Sequence, residues 1–210
     1  MHESIVLVGD SIFDNASYVP NGPCVTEQLR ALVRDGVDVS MLAADGDYVT
    51  DVHAQIKDLP AHVTHLFVSA GGNDALLYAQ ELTTDYATSE ELLKNWSAIQ
   101  REFRRKYRAM LEAVLSLRRN TAVCTIYDAV PNIDETEVTA LSLFNDVIMA
   151  EAVFSGIPVV DLRWVCTDSS DYSTLSPIEP SSQGGAKIAA TINRVFEEHD
   201  FSSGRTSVFT

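Results

Sequence analysis

The chain has 210 residues, 46% of them hydrophobic and 21% charged, which fits one compact domain around a single core. Its formal net charge is −15, so phosphate backbones are repelled and a nucleic-acid partner is not expected. No stretch reads as the roughly 20 apolar residues that cross a bilayer, so no membrane partner is expected either.

Residues 5–8 form the first short apolar run, and further runs follow at 37–42, 66–69, 122–127 and 157–162. Each is nearly continuous rather than alternating, as strands buried on both faces of a parallel sheet should be. Helical patterns fall between them, near 23–34, 49–57, 74–81, 89–118, 135–155 and 183–198. This alternation predicts a three-layer α/β fold with a parallel sheet of about five strands.

The segment 89–118 carries the clearest stripe: Leu92, Trp96, Ile99, Phe103, Tyr107, Met110, Val114 and Leu117. Thr88 and Glu91 read as a capping box at its start. Its other face holds Arg101, Arg104, Arg105, Lys106 and Arg108 but also Glu90, Glu91, Glu102 and Glu112. A solvated helix face is expected there rather than an anion site. The domain is expected to end near residue 200, with a Ser-, Thr- and Gly-rich tail over 201–210 that frays.

The first strand begins within five residues of Met1, with no basic segment, apolar run and cleavage site before it. That pattern predicts a cytoplasmic protein. Cys24, Cys124 and Cys166 are odd in number and widely spaced, so buried reduced thiols are expected. No Cys/His cluster has metal-ligand spacing, and the glycine-rich turns lack a phosphate-binding lysine or a dinucleotide fingerprint. Neither a metal nor a cofactor is expected.

Three segments carry possible chemistry. Gly9-Asp10-Ser11 follows the first strand, where a serine is held at the sheet rim. A base must take the hydroxyl proton before it can attack. Gly71-Gly72-Asn73-Asp74 follows the third strand, and an asparagine amide there could hold an oxyanion. Asp74 is expected to cap the helix at 74–81. Gly46, after the second strand, could turn a backbone N–H toward the same pocket. All of these, with the loop 163–182, meet at the carboxyl edge of the sheet, where open α/β sheets bind ligands. Asp10 and Asp14 are supporting acids, Asp14 more as a loop cap than as a charge at the site.

The set resembles the SGNH (GDSL-type) hydrolases over about residues 4–198. The resemblance implies a flavodoxin-like α/β/α sandwich and activity on a small ester or acylated substrate. It assigns Ser11 as nucleophile and the Ser11 N–H, Gly46 N–H and Asn73 amide as oxyanion donors. The match breaks at the last block. That block reads Asp-x-x-His in the family, with a glycine five residues after the histidine. Counting back from Gly184 places Glu179 at the histidine and Ser176 at its orienting aspartate.

Glu179 has the reach of a histidine but not its basicity. The ordinary side-chain pKa values, about 4.3 for glutamate and 6.5 for histidine, differ by roughly 3 kcal/mol of proton affinity. Burial would raise the glutamate value, while a following helix N-terminus would lower it. A hydrogen bond from Ser176 would orient Glu179 and lower it further. Asp168 and Asp171 are alternative acids for the site. His2, His53, His62, His65 and His199 are expected to stay outside it. Two functions follow: a serine hydrolase with Glu179 as its base, or a pocket that binds an acylated or anionic ligand without turnover.

Overall fold

The computed structural model describes residues 3–210. Six parallel strands form one sheet in the order β2-β1-β3-β4-β5-β6. They are β1 (Glu3–Gly9), β2 (Val37–Met41), β3 (His65–Ser69), β4 (Asn120–Cys124), β5 (Val159–Val160) and β6 (Val208–Phe209). The α-helices are α1 (Val25–Leu32), α2 (Val52–Gln55), α3 (Gly72–Leu76), α4 (Ser89–Ser116), α5 (Glu135–Ser155), α6 (Leu162–Val165) and α7 (Ser182–Glu198).

Strand β1 shows why the layers form. Successive side chains leave a strand on opposite faces. Ile5 and Leu7 enter a core built with Val25 and Leu29 of α1 and Ile188 and Ile192 of α7. Val6 and Val8 enter a second core with Val52 of α2, Phe103 and Met110 of α4, and Ile148 of α5. A continuous apolar run is therefore needed to feed both faces at once.

The sheet has one strand more than the sequence reading predicts, and that strand comes from the tail expected to fray. Val208 pairs with Val159 and Phe209 with Val160. The Val159 N–H donates to Ser207 O at 2.9 Å and the Asp161 N–H to Phe209 O at 2.8 Å. Phe209 packs edge-on to His199, with the Arg194 guanidinium over its ring. Two residues carry no periodic signal, so composition alone points to disorder.

Helix α5 corrects a second expectation. It is long and apolar enough to cross a membrane by length and composition, with mean hydropathy 1.4 over an 18-residue window. Asp146 and Glu151 interrupt its sequence, so it does not read as one apolar run. In the fold it packs on α4. Glu151 is buried and accepts two 2.8 Å hydrogen bonds from Arg108. Arg104 pairs with Asp146 and Arg105 with Glu102, so these arginines of the basic face are already engaged. At the start of α4, the Thr88 hydroxyl accepts from the Glu91 N–H as predicted, but Glu91 accepts from Ala87 rather than from Thr88. Cys24, Cys124 and Cys166 are all buried free thiols.

Candidate active site

Strand β1 ends at Gly9 with φ +125°. A Cβ there would lie 1.7 Å from the Ser69 carbonyl oxygen of β3, so only glycine fits this exit. The Asp10 N–H then donates to Ser69 O at 2.9 Å, and the next residue, Ser11, turns out over the sheet edge. The chain leaves β1 for β2 on one side and reaches β3 on the other. Ser11 therefore sits at the point where strand order reverses.

Gln55 braces this turn. Its Oε1 accepts from the Gly9 N–H at 2.7 Å, and its Nε2 donates to Gly9 O and to Asp47 Oδ2, both at 2.7 Å. Gln55 is a buried polar residue on α2. Nothing in its sequence context marks it, because its partners are 46 and 8 residues away.

Gly71, at φ +126°, turns the chain after β3 against Phe103. Asn73 falls in the first turn of α3, and its Nδ2 donates to Asp47 O at 2.9 Å. An amide nitrogen carries two protons, so one remains for a ligand. Asp74 does not cap a helix. It is buried and accepts from the Val49 N–H at 2.9 Å, tying α3 to the segment after β2. Burial raises its carboxyl pKa, against the pull of that bond. Asp14 accepts from the Asp45 N–H at 3.0 Å, so it too acts as a loop tie.

Gly46 lies in the turn stabilised by Asp47 N–H to Ala44 O, at φ +85° and exposed. It is not among the residues that line the cavity beside Ser11. Neither its N–H nor that of Ser11 has an acceptor among the described residues.

Glu179 is brought to Ser11 across 168 positions of sequence. It is 4% exposed, and its Oε2 has no hydrogen-bond partner. Loss of solvent raises its pKa to about 7, while the facing Ser11 hydroxyl, as donor, favours the ionised form. Asp10 is likewise raised to about 7, first by burial and then by the Glu179 charge, against a hydrogen bond from the Ile12 N–H. Two carboxyls thus share one poorly solvated pocket. Burial outweighs the helix N-terminus that follows.

The Glu179 backbone is held on several sides. Its N–H donates to Ser176 O at 3.0 Å and its carbonyl accepts from the Ser173 N–H at 2.8 Å. The Tyr127 hydroxyl donates to Ile178 O, and the Asn15 Nδ2 to Pro180 O at 3.1 Å. Ser176 therefore meets Glu179 through its backbone, not through the hydroxyl that the sequence reading assigns to orientation. Asp168 and Asp171 are also excluded. Both pair with Lys187, at 2.8 and 2.6 Å.

His65 starts β3 at the opposite edge of the sheet and stacks edge-on to Phe196. His199 packs on Phe201. His53 and His62 do not line the cavity, and His2 lies outside the described residues.

Asn15 is fully buried and also accepts from the Val25 N–H at 3.0 Å through Oδ1. It joins the Ser11 loop, the start of α1 and the Glu179 loop. The Asn15→Ala variant leaves the Val25 N–H and the Pro180 carbonyl without partners, an expected loss of about 2–3 kcal/mol. Denaturant unfolding measures it. A midpoint unchanged from wild type would show that the three segments hold their positions without Asn15.

A cavity of about 150 Å³ opens beside Ser11, with Asp10, Asn73 and Glu179 in its wall. Most of the remaining lining is apolar, from α3, α4, α5 and the segment after β4. No curated protein matches the sequence. Among solved structures, a lipase from a goat rumen metagenome superposes with a TM-score of 0.71 at 20% identity, over 96% of this chain and 100% of that one. A lipolytic protein of the G-D-S-L family from Veillonella parvula gives 0.69 at 17%, over 94% and 100%. An acetyl xylan esterase from Geobacillus stearothermophilus gives 0.68 at 15%, over 94% and 96%. These likenesses establish the shared fold. The sequence itself matches the family model of the GDSL-like lipases and acylhydrolases over residues 7–187, and the chain belongs to that family.

Proposed function

We propose that the protein is a serine ester hydrolase in which Ser11 is the nucleophile and Glu179 replaces the usual histidine as general base. One observation carries this reading. The Ser11 hydroxyl faces a buried carboxyl whose pKa is raised to about 7, close to where a general base works best at neutral pH.

Ionised Glu179 takes the Ser11 proton as Oγ attacks the ester carbonyl carbon. The carbonyl π electrons move to oxygen, and the Ser11 N–H, Gly46 N–H and Asn73 amide hold that oxyanion. As the tetrahedral species collapses, Glu179 returns the proton to the departing alkoxide, leaving an ester on Ser11. Water then enters, Glu179 takes its proton, and the same steps run back to free acid and enzyme. Gly46 sits outside the cavity wall, so in this scheme the carbonyl oxygen lies on the side of Ser11 nearer β2.

The base works only when ionised. We therefore expect kcat/KM for p-nitrophenyl butyrate to rise through about pH 7 and level off above it. A fluorophosphonate probe should add covalently to Ser11, as read by mass spectrometry of the digested protein. Absence of that adduct, with the ester recovered intact, would favour the second reading, a pocket that binds acylated ligands without turnover. The unpartnered Glu179 Oε2, available to a ligand donor, is the observation behind that reading.

A further inference from the structure

The cavity beside Ser11 extends away from the reacting atoms, and its chemistry changes along the way. Sheet order separates two sides. Toward β2 lies the turn Asp45-Gly46-Asp47, exposed at Asp45 and Gly46. Toward β3, β4 and β5 lies a pocket walled by Leu76, Leu82, Trp96, Ala140 and Phe144. Trp96 stands seven residues, or about 10 Å of helix, before Phe103, which packs beneath Gly71. It thus closes the pocket beyond the strand ends rather than inside the sheet.

The buried hydroxyls in that wall already have partners, and its one further acid, Glu137, is exposed. The Thr125 hydroxyl donates to Asp161 at 2.8 Å, the Tyr127 hydroxyl donates to Ile178 O, and Glu137 accepts from the Asp134 N–H at 2.8 Å. A sugar placed there would bury most of its hydroxyls against the apolar side chains of Leu76, Leu82, Trp96, Ala140 and Phe144. An alkyl chain would lose nothing. An apolar cavity of about 150 Å³ is known to take a six-carbon ring, and the volume here is about 150 Å³.

We propose that this pocket seats the acyl chain of a medium-chain ester, on the order of six to eight carbons, and that Trp96 and Ala140 set the length it accepts. The inference rests on the hydrolase reading above. The acyl group, not the alcohol, must remain beside Ser11 while the alcohol leaves and water enters. The enclosed side therefore suits the acyl chain, and the exposed turn suits the exchange.

The test is a series of p-nitrophenyl esters from acetate through butyrate, hexanoate and octanoate to dodecanoate. Each buried methylene should raise kcat/KM about fourfold, with a maximum at hexanoate or octanoate and a fall at dodecanoate. Ala140 is half-buried on α5, where leucine keeps helix propensity. Ala140→Leu should lower the hexanoate-to-acetate ratio at least about tenfold, since the added side chain fills the volume of several methylenes. Trp96→Ala, if stable enough to assay, should move the optimum to longer chains.

A flat series, or one still rising at dodecanoate, with hydrolysis that depends on Ser11, would overturn the pocket assignment alone. A ratio unmoved by Ala140→Leu would do the same. Hydrolysis that persists in Ser11→Ala would overturn the hydrolase reading and this inference with it.

Discussion

Replacing Ser11 with alanine is expected to lower ester hydrolysis by at least about 10³-fold and to abolish fluorophosphonate labelling. Alanine has no oxygen to attack with, so no acyl-enzyme forms. What remains is direct attack by water beside the proposed oxyanion donors, two of which are backbone N–H groups that the substitution keeps. Such donors alone sustain a residual rate of about 10³–10⁴ over water. The fold should tolerate the change, since the Ser11 hydroxyl is engaged by Glu179 rather than by a backbone group that ties segments together. Losing that donor removes the one hydrogen bond that favours ionised Glu179, so the carboxyl should become still harder to ionise in the variant. The comparison of kcat/KM and labelling between the two proteins decides the matter. Equal rates would remove Ser11 from the mechanism.

Glu179→Gln is expected to do two opposite things. It removes the base, so kcat should fall by about 10²–10⁴ and the rise through pH 7 should disappear. It should also stabilise the protein above neutral pH. The sign follows from the shift. Glu179 is raised from 4.5 to about 7 on folding, so the native state holds this proton more tightly than the unfolded chain does. The native state is therefore favoured at low pH. That stability is lost as pH rises from about 4.5 to about 7 and stays lost above.

Glutamine has the same shape and no charge to desolvate, so it escapes this cost. At pH 8 the variant should be more stable by about 2–3 kcal/mol, or roughly 5–10 °C in Tm. Near pH 5 the gap should nearly close. His65, lowered by burial, is present in both proteins and does not affect the difference. Relief of the Glu179 charge beside Asp10 adds to it in the same direction. Melting curves at pH 5 and pH 8 measure this narrowing. A Gln variant that is less stable at both values would mean that Glu179 is held as a structural anion.

Loss of a catalytic group with gain of stability is the signature of a site built against folding. Glu179 and Asp10 are both buried carboxyls without a cationic partner among the causes of their shifts. A packing role would be served better by neutral residues. The expense of keeping two acids there is explained if one of them has to take a proton near neutral pH.

Much of this is legible from local pattern. Strand β1 reads as a run because Ile5, Val6, Leu7 and Val8 must fill two cores, one on each face of the sheet. Ser11 and Asn73 read as site residues because the turns that place them need glycine at Gly9 and Gly71, and glycine at positive φ leaves a mark in sequence. Glu179 is found by counting back, on the pattern of the family's last block, from Gly184 in the first turn of α7. A Cβ at Gly184 would lie 2.1 Å from the Asp171 carbonyl oxygen, so that glycine too is required by close approach.

Other features have no local mark. Gln55, Asn15 and Tyr127 act through hydrogen bonds to segments 46, 165 and 51 residues away, and any polar residue in a loop or helix looks alike before the chain closes. Spacing assigns Ser176 to Glu179, but the bond formed is backbone to backbone, which spacing does not report. Strand β6 is two residues whose pairing depends on β5 being there to receive it.

The basicity of Glu179 is the sharpest case. Its identity and its place three residues before α7 were determined by sequence alone. Whether desolvation or the helix N-terminus would prevail was decided only when Ser11, Asp10 and the apolar wall closed around it. Desolvation is a property of the whole surrounding volume, and no window of sequence contains that volume.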